Sequence, residues 1–288
     1  MQQLMKNPRD LVTMLVTIVL ALAAVAHAGD AVVSCDKSDG AALLAVKKAL
    51  GDPPGLSGWN STLPCCAWKG ISCNATTGRV TELTIFALNI SAPIPLAMAN
   101  LTKLQSVNLA YNRLYGPIPS FLGPPALPGL NYLRLDGNRL TGTIPPTLTI
   151  LDLSLVGNLL VGPIPATFGA AQFNSMDLAD NQLSGDASLL FAAKKKINAL
   201  RLSRNQFKFD LGRVELPEPL DILVIDHNLV YGTIPPAAAA RSRKWLAFDV
   251  SFNQLCGPIP QGRLTRRFGP RHFAGNKCLC ARPLPPCS

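Results

Sequence analysis

Val107-Asn-Leu-Ala-Tyr-Asn-Arg-Leu-Tyr-Gly-Pro-Ile-Pro119 is the stretch that decides the fold of this chain. It contains an apolar-x-apolar triplet, whose last residue lies three positions before an asparagine, and it ends with Gly-x-Ile-Pro. The same frame returns at 133–145, 153–165, 223–235 and 248–260. The asparagine alone recurs every 20 to 26 residues, at Asn112, Asn138, Asn158, Asn181, Asn205, Asn228 and Asn253. Such regular returns indicate a repeat protein rather than the scattered strands of an ordinary α/β domain.

Each position of the frame has a physical reason. The triplet predicts a short strand whose alternate side chains enter the core, and the buried asparagine amide can bond the turning backbone of neighbouring coils. One coil cannot bury its own apolar face, so the coils must stack. The pattern predicts a leucine-rich repeat solenoid of the α/β type. We expect a right-handed curved superhelix with a concave parallel β-sheet and a convex side of 3-10 or irregular turns.

We expect about eight coils between residues 81 and 260, one of them contracted. The leading coil, 83–95, carries Leu88 in place of the asparagine, as is usual for a terminal repeat. The coil between Asn138 and Asn158 is about four residues short. The Ile-Pro pair is missing after Gly185 and again after Asn205. The sequence therefore predicts irregular convex walls for those two coils.

Residues 1–28 have the pattern of a secretory signal peptide, with Lys6 and Arg9 before an apolar run and Ala26-His27-Ala28 at its end. No second apolar stretch of spanning length follows, so we expect a secreted chain that does not span the membrane. Residues 29–80 and 261–288 flank the repeats and are predicted to be caps. In the first cap, apolar residues at helical spacing predict a helix from Asp39 to Leu50. Trp59 and Trp68 are expected to pack inside it.

The eight cysteines lie outside the interior of the repeats: four precede them, and four close them, beginning with Cys256 in the last coil. In a secreted chain, this even division predicts disulfides that close both ends of the solenoid. Each set of four allows three pairings. Sequence order favours Cys35–Cys65 with Cys66–Cys73, and Cys256–Cys278 with Cys280–Cys287. A metal site is the competing interpretation of Cys278-x-Cys280, but no ligand-spaced histidine pair accompanies it. We predict no metal and no cofactor.

Four sequons lie in the first third of the chain, and they predict glycosylation at Asn60, Asn74, Asn89 and Asn100. Glycans there would crowd the N-terminal end and leave the later coils bare.

Charge is unevenly distributed on this basic chain. Removal of residues 1–28 leaves 25 basic and 16 acidic residues, a net charge of +9. The outward positions of the predicted strands collect seven carboxylates (Glu82, Asp136, Asp152, Asp177, Asp180, Asp226 and Asp249), three arginines (Arg134, Arg201 and Arg204) and His227. Two interpretations remain open. The carboxylates solvate an exposed sheet, or they form a docking surface for a basic partner, with Phe86, Tyr111, Tyr132 and Phe252 as aromatic anchors.

No acidic residue follows Asp249, whereas Arg263, Arg266, Arg267 and Arg271 do. Lys194-Lys195-Lys196 forms a further basic cluster on a predicted loop. The extracellular counterpart of such a surface is a polyanion such as an acidic wall polysaccharide, and the signal peptide disfavours nucleic acid. A solvated basic edge with no specific ligand is the competing interpretation.

No catalytic constellation is evident in the sequence. His227 and His272 are the only histidines after residue 28, and no Gly-x-Ser-x-Gly, phosphate loop or His-Glu-x-x-His is present. Carboxylate pairs such as Asp177 with Asp180 would sit on an open, wet sheet. We therefore expect a binding protein and no enzyme.

Several segments together resemble plant polygalacturonase-inhibiting proteins. They are the cap 65–73 (Cys-Cys-x-Trp-x-Gly-Ile-x-Cys), the Gly-Asp-Ala-Ser interruption at 185–188, Phe-Asp-Leu-Gly-Arg-Val at 209–214, and the C-terminal Cys-Leu-Cys at 278–280. The resemblance implies an apoplastic defence protein whose concave face binds fungal or insect polygalacturonases and blocks their substrate cleft. Because both ends of the solenoid are capped, we expect a monomer. The resemblance also implies that basic surface residues associate with pectin (homogalacturonan). The residues carried over to enzyme binding are Asp136, Asp152, Asp177, Asp180, Asp226, His227 and Asp249.

Two alternatives use the same fold. A peptide- or receptor-binding regulator without inhibitory activity would use the same face, and salt-insensitive binding would favour it. An ice-binding protein would need short polar residues repeated along one column. The central column reads Thr84, Asn108, Arg134, Ser154, Asp177, Arg201, Val224, Asp249, which is no such ladder.

Overall fold

The computed structural model describes residues 34–287, so the predicted signal peptide at 1–28 lies outside the described residues. The chain begins with a capping helix, α1, at Lys37–Ala49, close to the predicted Asp39–Leu50. The Asp36 carboxylate caps this helix by accepting from the backbone N–H groups of Ser38 and Asp39. Buried Asp39 then accepts from both the Arg79 guanidinium and the Val80 N–H, and thereby ties the helix to the first coil.

A nine-stranded sheet forms one wall of the solenoid. Its first strand pairs antiparallel with the second, and every later pairing is parallel and in register from one coil to the next. From the third strand of this sheet onward, every strand has three residues and its middle side chain is buried. The strands are β1 (Ile71–Cys73), β2 (Val80–Thr84), β3 (Ser106–Asn108), β5 (Tyr132–Arg134), β7 (Asp152–Ser154), β9 (Ser175–Asp177), β11 (Ala199–Arg201), β13 (Ile222–Val224) and β15 (Ala247–Asp249).

Two smaller parallel sheets follow the asparagine turns and form the lateral wall. The first comprises β4 (Tyr115–Pro117), β6 (Arg139–Gly142), β8 (Leu159–Gly162), β10 (Gln182–Gly185) and β12 (Gln206–Phe207). The second comprises β14 (Tyr231–Gly232), β16 (Gln254–Pro258) and β17 (Cys278–Cys280). The predicted leucine-rich repeat solenoid with disulfide-closed ends is confirmed.

Buried asparagines link the coils as predicted. The Asn205 amide, for example, donates to Leu178 O of the preceding coil and to Leu202 O of its own, while its oxygen accepts from Leu183 N. The same pattern holds from Asn112 to Asn253. It also extends to Asn276, which donates to Val250 O and Phe273 O and accepts from Leu255 N. The sequence analysis did not identify this last member, so the ladder reaches one coil into the C-terminal cap.

The convex wall corrects one prediction. The coils after Gly185 and Asn205 are not irregular, because each carries a 3-10 turn, at Ser188–Leu190 and Leu211–Arg213. Carboxylates support these turns, since Ser188 N donates to Asp186 and Gly212 N to Asp210. Regular 3-10 turns also occur at Leu96–Asn100, Ala166–Gly169 and Pro236–Ala239. The contracted coil instead returns from residue 145 to β7 through simple turns.

The two ends are closed by disulfides in the pairing that sequence order favours: Cys35–Cys65, Cys66–Cys73, Cys256–Cys278 and Cys280–Cys287. Trp59 and Trp68 stack in the N-terminal cap with ring centroids 5.7 Å apart, and both are buried. A short helix, α2 (Arg263–Arg267), begins the C-terminal cap. Within residues 34–287, no helix has the length and apolar character needed to cross a membrane.

Candidate docking face

The concave face is defined here as the outward side chains of β2, β3, β5, β7, β9, β11, β13 and β15, together with the two residues before each asparagine turn. Strand geometry positions these side chains, because alternate residues of a strand point to opposite sides of the sheet. The face therefore carries side chains from every coil in parallel columns. Apart from the exposed Glu82 on β2, its charged members lie near the middle and C-terminal coils, and its aromatic members lie mainly near the N-terminal coils.

The residue just before each asparagine has a left-handed backbone. Its φ angle is 57° at Tyr111, 55° at Asp180, 53° at Arg204, 52° at His227 and 50° at Phe252. The remaining members of this column are Ala87, Gly137, Gly157 and Gly275, also at positive φ. Such residues are uncommon outside glycine, and non-glycine side chains held this way are candidates for function. The geometry projects them from the same place in successive coils.

Asp136 corrects the predicted docking set. Its side chain is only 3% exposed, and it forms an ion pair with Arg134 at 2.8 Å. It also accepts hydrogen bonds from the Ser154 hydroxyl and from Val156 N. A carboxylate that is buried and internally bonded has no surface to offer a partner. Asp136 instead joins two neighbouring coils beneath the face.

Arginines from neighbouring coils accompany the central carboxylates. Asp177 lies 4.0 Å from Arg201, and Asp180 lies 3.6 Å from Arg204. Burial raises the pKa of the Asp177 carboxyl, although the Ala179 N–H and Arg201 partly oppose the shift. Asp180 remains the more accessible of the two, with 53% of its side chain exposed. Thus the predicted acidic strip alternates in sign through these coils.

Two histidine–aspartate pairs close the C-terminal end of the face. His227 Nδ1 lies 2.8 Å from Asp226, and its ring stacks on Phe252 with centroids 4.3 Å apart. His272 Nδ1 lies 3.0 Å from Asp249. The sequence analysis did not assign His272 to the face because Arg271 occupies the first apolar position of its coil. The spacing of Asn276 from Asn253, 23 residues, was the signal that could have revealed it.

Aromatic side chains mark the N-terminal end of the face. Phe86 meets Tyr111 edge to face at 5.5 Å, and the two are 46% and 55% exposed. A Cβ atom on Gly137 would lie 2.8 Å from the Tyr111 ring, so this glycine leaves room for the ring to lie against the next coil. Tyr132 is half-buried, whereas Phe252 at the far end is 51% exposed. The predicted anchors thus lie at both ends of the face.

Comparison with known proteins supports the resemblance read from the sequence. A model of the leucine rich repeat N-terminal domain matches residues 36–74, and the leucine rich repeat model matches 103–124 and 129–151. Polygalacturonase inhibitor 1 of Arabidopsis thaliana is 34% identical over 315 residues, which cover 88% of this chain and 92% of that protein. Polygalacturonase inhibitor of Pyrus communis is 36% identical over 313 residues, with 88% and 92% covered.

The chain belongs to the polygalacturonase inhibitor family. Solved structures agree with this fold. A plant ice-binding protein is 31% identical, with a TM-score of 0.63, over 88% of this chain and 98% of its own. The ectodomain of the Arabidopsis receptor kinase HAESA, solved with a peptide hormone, is 29% identical, with a TM-score of 0.67, over 77% of this chain and 38% of its own.

The predicted polyanion-binding arginines of this family member are only partly brought together. Arg263, Arg266 and Arg267 line one cavity at the C-terminal cap. Arg271 does not line it and instead directs its Nε toward His272 Nε2 at 3.2 Å. In the predicted lysine cluster, Lys195 is buried and donates to three backbone carbonyls, so only its neighbours Lys194 and Lys196 face solvent.

All four sequon asparagines of this family member, Asn60, Asn74, Asn89 and Asn100, are exposed. Two of them belong to the N-terminal cap and two to the first coil. Glycan attachment at these positions remains a prediction.

Proposed function

We propose that this protein is secreted and inhibits fungal or insect polygalacturonases by docking its concave face over their substrate cleft. The observation that carries the proposal is the 34% identity to a polygalacturonase inhibitor over 88% of the chain. The face itself supports a docking role, because it is rigid and carries solvent-accessible carboxylates between aromatic side chains. A rigid surface loses little conformational freedom on binding.

The partner surface would be basic. Asp180, Asp177 and Asp226 would meet its cations, together with Asp152 and Asp249. Hydroxyl groups hold three of these carboxylates in place. Ser175 donates to Asp152 at 2.6 Å, Ser203 donates to Asp226, and Ser251 donates to Asp249. Tyr111, Tyr132 and Phe252 would provide apolar contact area, and His227 would pack beside Phe252. Asp136 has no part in this proposal because it is buried.

The test is inhibition of a panel of fungal endo-polygalacturonases by the disulfide-intact protein at low and high salt. We expect inhibition of at least one enzyme, weaker at high salt because exposed charges are screened. Asp180→Lys should weaken inhibition by at least about tenfold, since it reverses an exposed charge at the interface. Glu215→Lys is the matched control, because it makes the same charge change on an exposed residue outside the concave face.

The outcomes separate two functions. Inhibition that is lost in Asp180→Lys but kept in Glu215→Lys supports the docking face. Equal loss in both variants would point to nonspecific charge effects and reject it. No inhibition of any enzyme would favour a second candidate, a peptide-binding regulator. The HAESA ectodomain, whose structure resembles this chain, was solved with a peptide bound. Salt-insensitive binding of a peptide to the concave face would identify that function.

A further inference from the structure

A cavity of about 810 Å³ opens between the loop that precedes β15 and helix α2. It lies outside the concave face and is called here the basic cleft. Its walls come from two segments, one in the last complete coil and one in the C-terminal cap. The lining residues are Arg243, Lys244, Trp245, Leu246, Arg263, Arg266, Arg267 and Phe268.

The charge of the basic cleft is of one sign. The side chains of Lys244, Arg263, Arg266 and Arg267 are exposed, and none of them forms an ion pair within residues 34–287. Arg243 differs, because its guanidinium donates to backbone carbonyls of residues 216–220 and so supports the wall. Cations gathered in a concave surface attract anions more strongly than isolated ones do.

The rest of the lining is apolar. Trp245 and Phe268 are buried, and the Trp245 indole N–H already donates to Ala238 O at 2.7 Å. Leu246 stands at the opening with 58% of its surface exposed. None of the eight lining side chains is an Asp, Glu, Asn, Gln, Ser or Thr. The side chains of the cleft therefore offer cationic donors and carbon atoms, but no hydrogen-bond acceptor.

We propose that the basic cleft binds an acidic amphipathic peptide segment. Its carboxylates would pair with Lys244, Arg263, Arg266 and Arg267, and one apolar side chain would cover Leu246. Such a peptide offers carboxylate oxygens that accept hydrogen bonds from the cationic side chains, and an apolar side chain that packs against the apolar lining. A polyuronate such as homogalacturonan also carries carboxylates, but its hydroxyl groups donate as well, and the side chains here provide no acceptor for them. The open shape suits a chain-like ligand.

The experiment uses a fluorescently labelled synthetic peptide that alternates glutamate and leucine, titrated with the full disulfide-bonded protein. Fluorescence anisotropy should show saturable binding. The Arg266→Gln/Arg267→Gln variant should weaken it by about tenfold or more through loss of two charge contacts. Leu246→Ser should weaken it about fivefold through loss of apolar contact. Lys194→Gln/Lys196→Gln removes the same charge from two exposed lysines elsewhere and should change the affinity by less than about twofold.

Three results would overturn the proposal. The first is the absence of saturable peptide binding. The second is equal weakening by the Lys194/Lys196 control, which would indicate a response to net charge alone. The third is tighter binding of an oligogalacturonide, measured by competition, that Leu246→Ser leaves unchanged, which would assign the cleft to a polyuronate. Should the double arginine variant fail to fold, Lys244→Gln with Leu246→Ser tests the same cleft from an exposed loop. Polygalacturonase inhibition is measured in parallel and should be unaffected.

Discussion

Of the three consecutive lysines 194–196, Lys195 is buried, whereas Lys194 and Lys196 are exposed. Lys195 is 6% exposed and donates to Phe168 O, Gly169 O and Ala171 O at 2.7 to 2.8 Å. Burial lowers the pKa of this ammonium below its ordinary value. It closes the C-terminal end of the 3-10 turn in the preceding coil, where carbonyl groups lack helical partners.

Replacement of these lysines should separate the structural one from the exposed ones. Lys195→Met keeps a side chain of similar length but leaves three backbone carbonyls, one of them buried, without their donor. We expect a loss of about 2 to 3 kcal/mol in the free energy of unfolding. Lys194→Met and Lys196→Met should each change it by less than about 0.5 kcal/mol. Chemical denaturation of the three variants measures this, and equal effects would show that the carbonyl contacts contribute nothing.

Asp177 offers a test in which stability and binding change in opposite directions. Burial raises the pKa of its carboxyl, so the folded state favours the protonated form. The stabilising contribution is therefore fully present below the ordinary carboxyl pKa, about 3.9, and is lost as pH rises through the folded-state value. Asp177→Asn has no charge to bury. At neutral pH it should be more stable than the parent by roughly 0.5 kcal/mol, while inhibiting polygalacturonase less well.

The measurement is thermal unfolding of both proteins across the acid range. The stability gained by Asp177→Asn over the parent should shrink as pH falls and disappear once the Asp177 carboxyl of the parent is protonated. A variant that is less stable than the parent at neutral pH would mean that the contact with Arg201 outweighs the cost of burial.

At the level of the repeated element, the asparagine turn connects each strand of the nine-stranded sheet to the lateral wall. Its sequence signal was strong where an apolar triplet preceded the asparagine, so the strands and their order could be predicted. Asn276 was not identified because Arg271 occupies the first apolar position of its triplet. The left-handed backbone conformation of the residue before each asparagine was not predicted either, for a different reason. The backbone conformation before the asparagine follows from the turn itself, so non-glycine residues such as Tyr111 and Asp180 show no compositional sign of it.

The substitution Tyr111→Gly tests whether the aromatic end of the concave face binds the enzyme, and it should leave the fold intact. The left-handed φ of 57° at Tyr111 costs an L-residue about 1 kcal/mol, which glycine avoids. The lost edge contact with Phe86 is worth about the same, so Tyr111→Gly should leave the free energy of unfolding nearly unchanged. Polygalacturonase inhibition should fall by about tenfold or more, as expected for an aromatic anchor.

Tyr115→Ala provides the control for that experiment. Tyr115 is 49% exposed but lies on the lateral wall, in β4. Its removal should leave inhibition unchanged. Equal inhibition by the parent and Tyr111→Gly would exclude the N-terminal aromatic side chains from the docking surface.

Over the whole molecule, coil order could be predicted from spacing, because each coil contacts only its neighbours. The disulfide pairing is the one of three per set that sequence order favoured. Which of the outward carboxylates are exposed to solvent could not be predicted in this way. Asp136 and Asp180 occupy outward positions two residues and one residue before their asparagines, yet one is buried and the other exposed. The difference depends on what the next coil provides: Ser154 and Val156 bond Asp136, whereas Arg204 only approaches Asp180. Such contacts join residues about one coil apart, beyond the reach of a local pattern.

The caps prevent the end coils from opening, and the two N-terminal disulfides should contribute unequally. Cys35–Cys65 closes a separation of 30 residues, against 7 for Cys66–Cys73. Chain entropy predicts that the longer closure stabilises the cap by about 1.3 kcal/mol more. Cys35→Ser/Cys65→Ser should therefore speed amide exchange in α1 roughly ninefold more than Cys66→Ser/Cys73→Ser does. Exchange in the central strands should stay unchanged in both, because opening at one end need not propagate through the stack. Equal exchange in α1 would show that local packing, not loop closure, governs the cap.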